Sequence, residues 1–168
     1  MNNLLTKFLL LNCFALFCGC ALFGNPDPRA DKSREYQVEF SDVLWTPISP
    51  DLADAAYLNN ATSSIITTNS QCKKYEKTSL DQLAENILKG SGIEDIEIIE
   101  KKPTTFSERD AIEMLVQGKS DGVKTFLRFL TLKKNRCIYD FILVSSSEKS
   151  FTKDQKTFER FLKMVKIK

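Results

Sequence analysis

Three apolar-rich runs between Arg109 and Ser146, separated by Asp121-Gly122 and by Lys134-Asn135, constrain the fold of this chain more than any other feature. Both breaks have the composition of tight hairpin turns, so the runs read as three consecutive antiparallel strands. Two-residue turns pair Ser120 with Val123 and Lys133 with Arg136, which aligns all three strands. One face of this meander then carries Ile112, Met114, Val116, Leu127, Phe129, Ile138, Ile142 and Val144, and the other Leu115, Phe126, Leu130, Tyr139, Phe141 and Leu143. A sheet with a wet side alternates apolar and polar residues, and this one does not. Each face therefore needs a cover.

Two segments can supply one. Phe158, Phe161, Leu162 and Val165 follow the i, i+3, i+4, i+7 spacing of an amphipathic helix. Upstream, Leu80 to Lys89 places Leu80, Leu83, Ile87 and Leu88 on one helical face, with Ser79 and Gln82 as a capping box and Gly90 as the stop. A sheet between two helices is an α+β protein, a largely antiparallel sheet in an α/β/α sandwich. The β-branched run Ser64 to Asn69 reads as a strand, and Ile93 to Lys101 as another with acids interleaved. Tyr36 to Leu44 alternates weakly, and Trp45-Thr46-Pro47 breaks that run.

The chain contains no histidine, which excludes Ser-His-Asp and Cys-His catalysis and His-ligated zinc, copper or iron. Its six glycines are scattered and form no phosphate-binding loop. The expectation is no catalytic residue, no cofactor and no metal. Asp140 falls on an apolar face beside Ile138 and Ile142, where an unpartnered carboxylate is costly. Either a hydroxyl, a helix N-terminus or a loop amide satisfies it, or it is the acid of a pocket. Lys153, Lys156, Arg160 and Lys163 recur at helical spacing on the closing helix, as a solvated face or as a binding face for anionic lipid or a partner. Trp45 packs over a core edge or anchors a groove, and Lys73-Lys74-Tyr75-Glu76-Lys77 is a charged connection.

The N-terminus bears on location. Lys7, an apolar run from Phe8 to Phe17, and Gly19-Cys20 have the layout of a signal peptide over residues 1–19, with a run too short to span a bilayer. Phe17-Cys18-Gly19-Cys20 resembles a lipobox and makes Cys20 the lipidated residue; Phe17 stands where Leu is usual, which leaves an uncleaved anchor or an ordinary secretory signal as alternatives. Residues 20–33, with Asn25-Pro26-Asp27-Pro28, read as a lipidated flexible tether, and 34–168 as one globular domain of roughly 130 residues. Cleavage would remove Lys7 and no acid, taking the net charge from +2 to +1. Such a balance gives no case for nucleic acid. Cys13 and Cys18 leave with the signal. Cys72 and Cys137 remain, as a bridged pair in an oxidising compartment or as two buried thiols.

A strand ending near Cys72, a capped helix, a strand, a meander ending Cys137-Ile138-Tyr139-Asp140-Phe141 and a closing Phe158-Glu159-Arg160-Phe161-Leu162 helix together resemble the PsbP-like fold. That fold is shared by the oxygen-evolving-complex subunit and the Mog-type Ran-binding proteins. The chain is also similar to small bacterial lipoproteins with a Cys-x-Tyr-Asp strand followed by a Phe-x-x-Phe helix, from about Val43 to Val165. The resemblance implies a non-enzymatic interaction or assembly role with an envelope protein partner. It also implies that the segments carrying Cys72 and Cys137 lie side by side, hence a Cys72–Cys137 disulfide. Ala21 after the lipidated cysteine implies, by analogy, an outer-membrane anchor with the domain facing the periplasm. Abundant phenylalanine supports the alternative of a carrier for a small apolar ligand or lipid in the periplasm.

Replacing Cys20 with Ser is expected to abolish lipid attachment and to leave the precursor uncleaved at that site. Metabolic labelling with a tagged fatty acid checks this, and undiminished label in Cys20→Ser would refute the assignment.

Overall fold

The computed structural model describes residues 31–50, 53–73 and 77–168. The signal peptide, Cys20 and the tether as far as residue 30 lie outside the described residues, as does Lys74-Tyr75-Glu76 of the charged run. In chain order the elements are β1 (Tyr36–Val38), β2 (Trp45–Ile48), β3 (Ala55–Asn59), β4 (Ile65–Cys72), α1 (Leu80–Gly90), β5 (Glu94–Phe106), β6 (Arg109–Ser120), β7 (Val123–Lys134), β8 (Cys137–Ser145), α2 (Glu148–Met164) and β9 (Val165–Ile167). Seven strands form one sheet in the order β2-β3-β4-β8-β7-β6-β5, and β1 pairs with β9 in a separate ribbon. Every neighbouring pair is antiparallel.

Tight turns set the register of the meander. Asp121 and Gly122 take φ of 50° and 77°, and Ser120 pairs with Val123 as the composition requires. At the second turn the left-handed residues are Asn135 and Arg136, with φ of 53° and 63°, so Lys134 pairs with Cys137. This corrects the pairing of Lys133 with Arg136. Asn tolerates the left-handed region and takes the first central position of the turn rather than the second. Phe129 consequently lies opposite Ile142. The register has slipped by two, which with a side-chain period of two leaves each residue on its expected face.

Both faces are covered. Phe151, Phe158, Phe161 and Leu162 of α2 pack on Phe126, Leu130, Tyr139, Phe141 and Leu143, whereas Ala84 and Leu88 of α1 pack on Ile112, Met114, Val116, Leu127 and Phe129. The α/β/α sandwich is thus the architecture of the described residues. Gly118 lies where a side chain could not. A Cβ there would come within 2.4 Å of the Ile93 side chain and 2.5 Å of the Glu94 carbonyl, where the chain passes from α1 into β5.

Three local expectations are corrected. Trp45-Thr46-Pro47 does not break a strand but belongs to β2, at the sheet edge, where proline is tolerated. Trp45 itself is buried against Phe40. Val165 leaves the helix and, with Ile167, forms the β-branched strand β9. Helix α1 runs through Gly90 and is capped at Ser91 by a hydrogen bond to the Leu88 carbonyl, with the left-handed turn at Gly92.

Helix α2 is fastened by polar contacts as well. Asp154 stands in its apolar stripe, 2% exposed, and accepts hydrogen bonds from Asn59 Nδ2 at 2.9 Å and Thr62 Oγ1 at 2.6 Å. At the opposite edge Arg128 pairs with Glu113 of β6 at 2.6 Å and Glu159 of α2 at 3.1 Å.

Cys72 and Cys137 are register partners at the end of the β4–β8 ladder, joined by a disulfide with Cα atoms 3.9 Å apart. The bridge spans 65 residues. Removing both thiols as Cys72→Ser/Cys137→Ser is expected to cost up to about 4 kcal/mol, the loop-closure entropy returned to the unfolded chain. Urea unfolding of the oxidised protein and the double variant measures it, and coincident midpoints would show that the bridge adds nothing to stability.

Candidate functional site

Beyond β7, α1 no longer covers the sheet. Strand β4 alternates, with Ile66, Thr68 and Ser70 buried toward α2 while Ile65, Thr67, Asn69 and Gln71 point the other way and stay partly exposed. Beside them lie Ile138, Asp140, Ile142 and Val144 of β8. These two rows floor a cleft of about 540 Å³, walled by Leu83, Asn86 and Ile87 of α1 and by the Gly90-to-Ile93 connection. The floor is aliphatic over Ile65, Ile142 and Val144, with Ser63, Ser145 and Ser146 at that rim, and turns polar at Asn69, Asp140 and Gln71, beside Ile138.

Asp140 sits in this floor, opposite Asn69. Its carboxylate accepts a hydrogen bond from Thr131 Oγ1 at 2.6 Å, from the adjacent strand. Burial raises its pKa to about 6, with Asp54 pushing the same way and the Thr131 hydroxyl and the Lys32 ammonium opposing. A hydroxyl thus partners this acid, and its side chain is among those lining the cleft. Among the described residues it is the one ionisable side chain lining the cleft.

Residues 31–33, counted above with the tether, are instead docked on the sheet. The amide of Cys72 donates to the Asp31 carbonyl at 2.7 Å and that of Ser33 to Ser70 Oγ at 2.8 Å. Lys32 bonds the Asn69 side chain and pairs with Asp54 at 3.2 Å. Strand β3 starts only at Ala55, so this part of β4 would otherwise lack a neighbour on that side. Tyr36, whose phenol burial raises far above its usual pKa, donates to Asp54 at 2.5 Å.

Lys153, Lys156, Arg160 and Lys163 are all exposed on α2, on the opposite face of the sheet from the cleft. Arg160 pairs with Asp42 at 2.8 Å; the three lysines form no ion pair among the described residues. A denser group of cations escaped the sequence reading. Arg109, Lys133, Lys134 and Arg136 line a second, smaller cleft of about 410 Å³ at the β7–β8 turn. Lys133-Lys134 and Arg136 are visible as a basic run, but only the meander brings Arg109 to them. Among the described residues, no group of three or more His, Cys, Asp or Glu side chains is placed to hold a metal ion, and no helix is long and apolar enough to cross a membrane.

No protein-family model matches the chain, and no curated protein matches it. Solved structures do. LpqN of Mycobacterium tuberculosis, described as involved in cell envelope biogenesis, superimposes with a TM-score of 0.59 at 9% identity over 85% of this chain and 87% of its own. Cyanobacterial PsbP from Synechocystis gives 0.55 at 8% identity, over 80% and 87%. The Ran-binding protein Mog1p of Saccharomyces cerevisiae gives 0.54 at 10% identity, over 81% and 96%. The chain has the PsbP-like fold, as the order of its elements implied.

The raised pKa of Asp140 has a signed consequence. An unfolded chain releases this proton near pH 4 and the folded one near 6, so this residue makes folding stability fall as pH rises from about 4 to about 6 and stay lower above it. Asp140→Asn, which keeps an acceptor for Thr131, is expected to be more stable than the parent at neutral pH by on the order of 2 kcal/mol and equal to it near pH 3. Thermal unfolding across that range checks it; a variant less stable at pH 7 would show that the ionised carboxylate is itself held by the fold.

Proposed function

We propose that this chain is a non-catalytic interaction module of the cell envelope, tethered through lipid on Cys20 at the outer membrane and facing the periplasm, which seats a partner protein in the cleft between α1 and the β4–β8 floor. The observation that carries this reading is the cleft itself: partly exposed Ile65, Ile142 and Val144 stand beside a helix too narrow to cover them. A lone ionisable group in a site with no histidine is a poor basis for acid–base chemistry, which generally needs a second positioned group. The envelope and Ran-binding descriptions belong to LpqN and Mog1p. They agree with a fold used for recognition, and the partner of this chain follows from neither.

A second reading is a carrier of a small apolar ligand, favoured by the aliphatic end of the cleft and a volume in the range of small-molecule sites.

A photo-crosslinker at Asn86, on the cleft-facing side of α1, tests both in living cells. The proposal expects a discrete protein adduct, and Thr67→Trp, which fills the floor, is expected to reduce it at least about tenfold, roughly 1.4 kcal/mol of binding. Absence of any protein adduct defeats the interaction reading. An apolar molecule seen on the purified protein by native mass spectrometry, and lost in Thr67→Trp, would establish the carrier instead.

A further inference from the structure

We propose that the partner seated in the larger cleft reaches its floor with a lysine side chain, whose ammonium pairs with Asp140. This rests on the cleft reading given above and names the chemistry that the cleft selects.

Strand β8 places Asp140 between Ile138 and Ile142, each two residues away on the same face and so about 7 Å along the strand. A lysine stem approaching the carboxylate lies against both, burying its methylenes while the charged head meets the acid. Thr131 Oγ1 donates to Oδ1 at 2.6 Å, and among the described residues no side chain donates to Oδ2. One open oxygen suits the compact ammonium of lysine better than the planar fork of arginine, which takes both oxygens of a carboxylate at once.

The charges near Asp140 leave a place for a cation. On β4, Asn69 stands opposite and is neutral. In the segment before β1, the Lys32 ammonium bonds the Asn69 side chain and is already paired with Asp54 at 3.2 Å. On β7, Lys133 lies two residues beyond Thr131, donates to the Thr78 carbonyl at 2.9 Å, and is not among the cleft-lining residues. Helix α1 contributes Leu83, Asn86 and Ile87, none of them ionisable. An ammonium delivered directly to a carboxylate in such a half-buried setting gains more than it would at an exposed acid.

The surroundings favour a polypeptide as the bearer of that ammonium. The side chains of Thr67, Gln71 and Asn86 line the cleft and form no hydrogen bond among the described residues. A hydroxyl and two carboxamides both donate and accept, which matches the backbone N–H and C=O groups of a chain segment. A free alkylamine would leave them unused.

The chemistry is tested on the full chain carrying Cys20→Ser, with n-hexylammonium, hexan-1-ol and hexanoate as probes. The side-chain amide NMR signals of Asn69, Gln71 and Asn86 report binding at the cleft. Hexylammonium is expected to bind about tenfold more tightly than the alcohol at pH 7, and about tenfold more weakly at pH 5 than at pH 7, because Asp140 holds its proton to about pH 6 while the amine stays charged throughout. Asp140→Asn, which keeps an acceptor for Thr131, should abolish both differences. Equal binding of amine and alcohol, or affinity that rises toward pH 5, overturns the proposal; neither measurement needs a variant. The bearer is tested in cells with the crosslinker at Asn86. Adding Asp140→Asn is expected to reduce the protein adduct about tenfold, and the crosslinked peptide of the partner should contain lysine. An undiminished adduct in Asp140→Asn overturns this proposal and leaves the cleft reading standing, whereas absence of any adduct in the parent defeats the cleft reading itself. A small amine found on the purified protein by native mass spectrometry, with no protein adduct, would assign the site to a free amine and overturn the partner assignment.

Discussion

Everything in this molecule follows from a sheet whose two faces are both apolar. Strands lie about 4.8 Å apart and a helix is about 10 Å across, so one helix shields roughly two strands. Seven strands need more cover than two helices supply. On the α2 face the shortfall is made up by the β1–β9 ribbon and by Phe40 and Trp45; the Phe40 ring meets those of Trp45, Tyr57 and Phe161 edge to face. On the α1 face an 11-residue helix covers β6 and β7, and no described element extends the cover over β8 and β4. The larger cleft is what remains when one side of a double-sided sheet is only partly roofed.

Two carboxylates set among apolar residues show how the same unfavourable placement is resolved in two ways. Asp154 is shut in by α2, and two polar side chains of the β3–β4 region, Asn59 and Thr62, take up both its oxygens and fasten the helix across the sheet. Asp140 faces the unroofed side, has one hydroxyl partner, and compensates for burial by holding its proton to about pH 6. The first acid belongs to packing. The second lies among the residues that line the larger cleft.

The end of the sheet where β4 and β8 meet gathers otherwise separate features. The disulfide locks that ladder, residues 31–33 complete the edge of β4 beyond β3, and the Asn135-Arg136 turn projects its cations beside them. A cross-strand bridge at this point keeps the basic turn and the incoming chain in fixed relation.

Local sequence by itself determined the elements with strong periodicity: the three-strand meander, the capped helix α1, the stripe of α2, and hence the α/β/α sandwich. The faces of the meander were legible even where the turn was misplaced by one residue, since a register slip of two preserves side-chain direction. Asp154 was not singled out: it is one acid at stripe spacing between Phe151 and Phe158, and its burial depends on Asn59 and Thr62, which are distant in the chain. The short strands β1, β2, β3 and β9 were not legible. Three to five residues carry too little pattern, and such strands exist only because a neighbour distant in the chain offers its hydrogen bonds. Tertiary structure alone decided the two clefts. One depends on how far a helix reaches across a sheet, and the other on bringing Arg109 beside residues more than twenty positions later; both are distances in space that no local spacing of residues encodes.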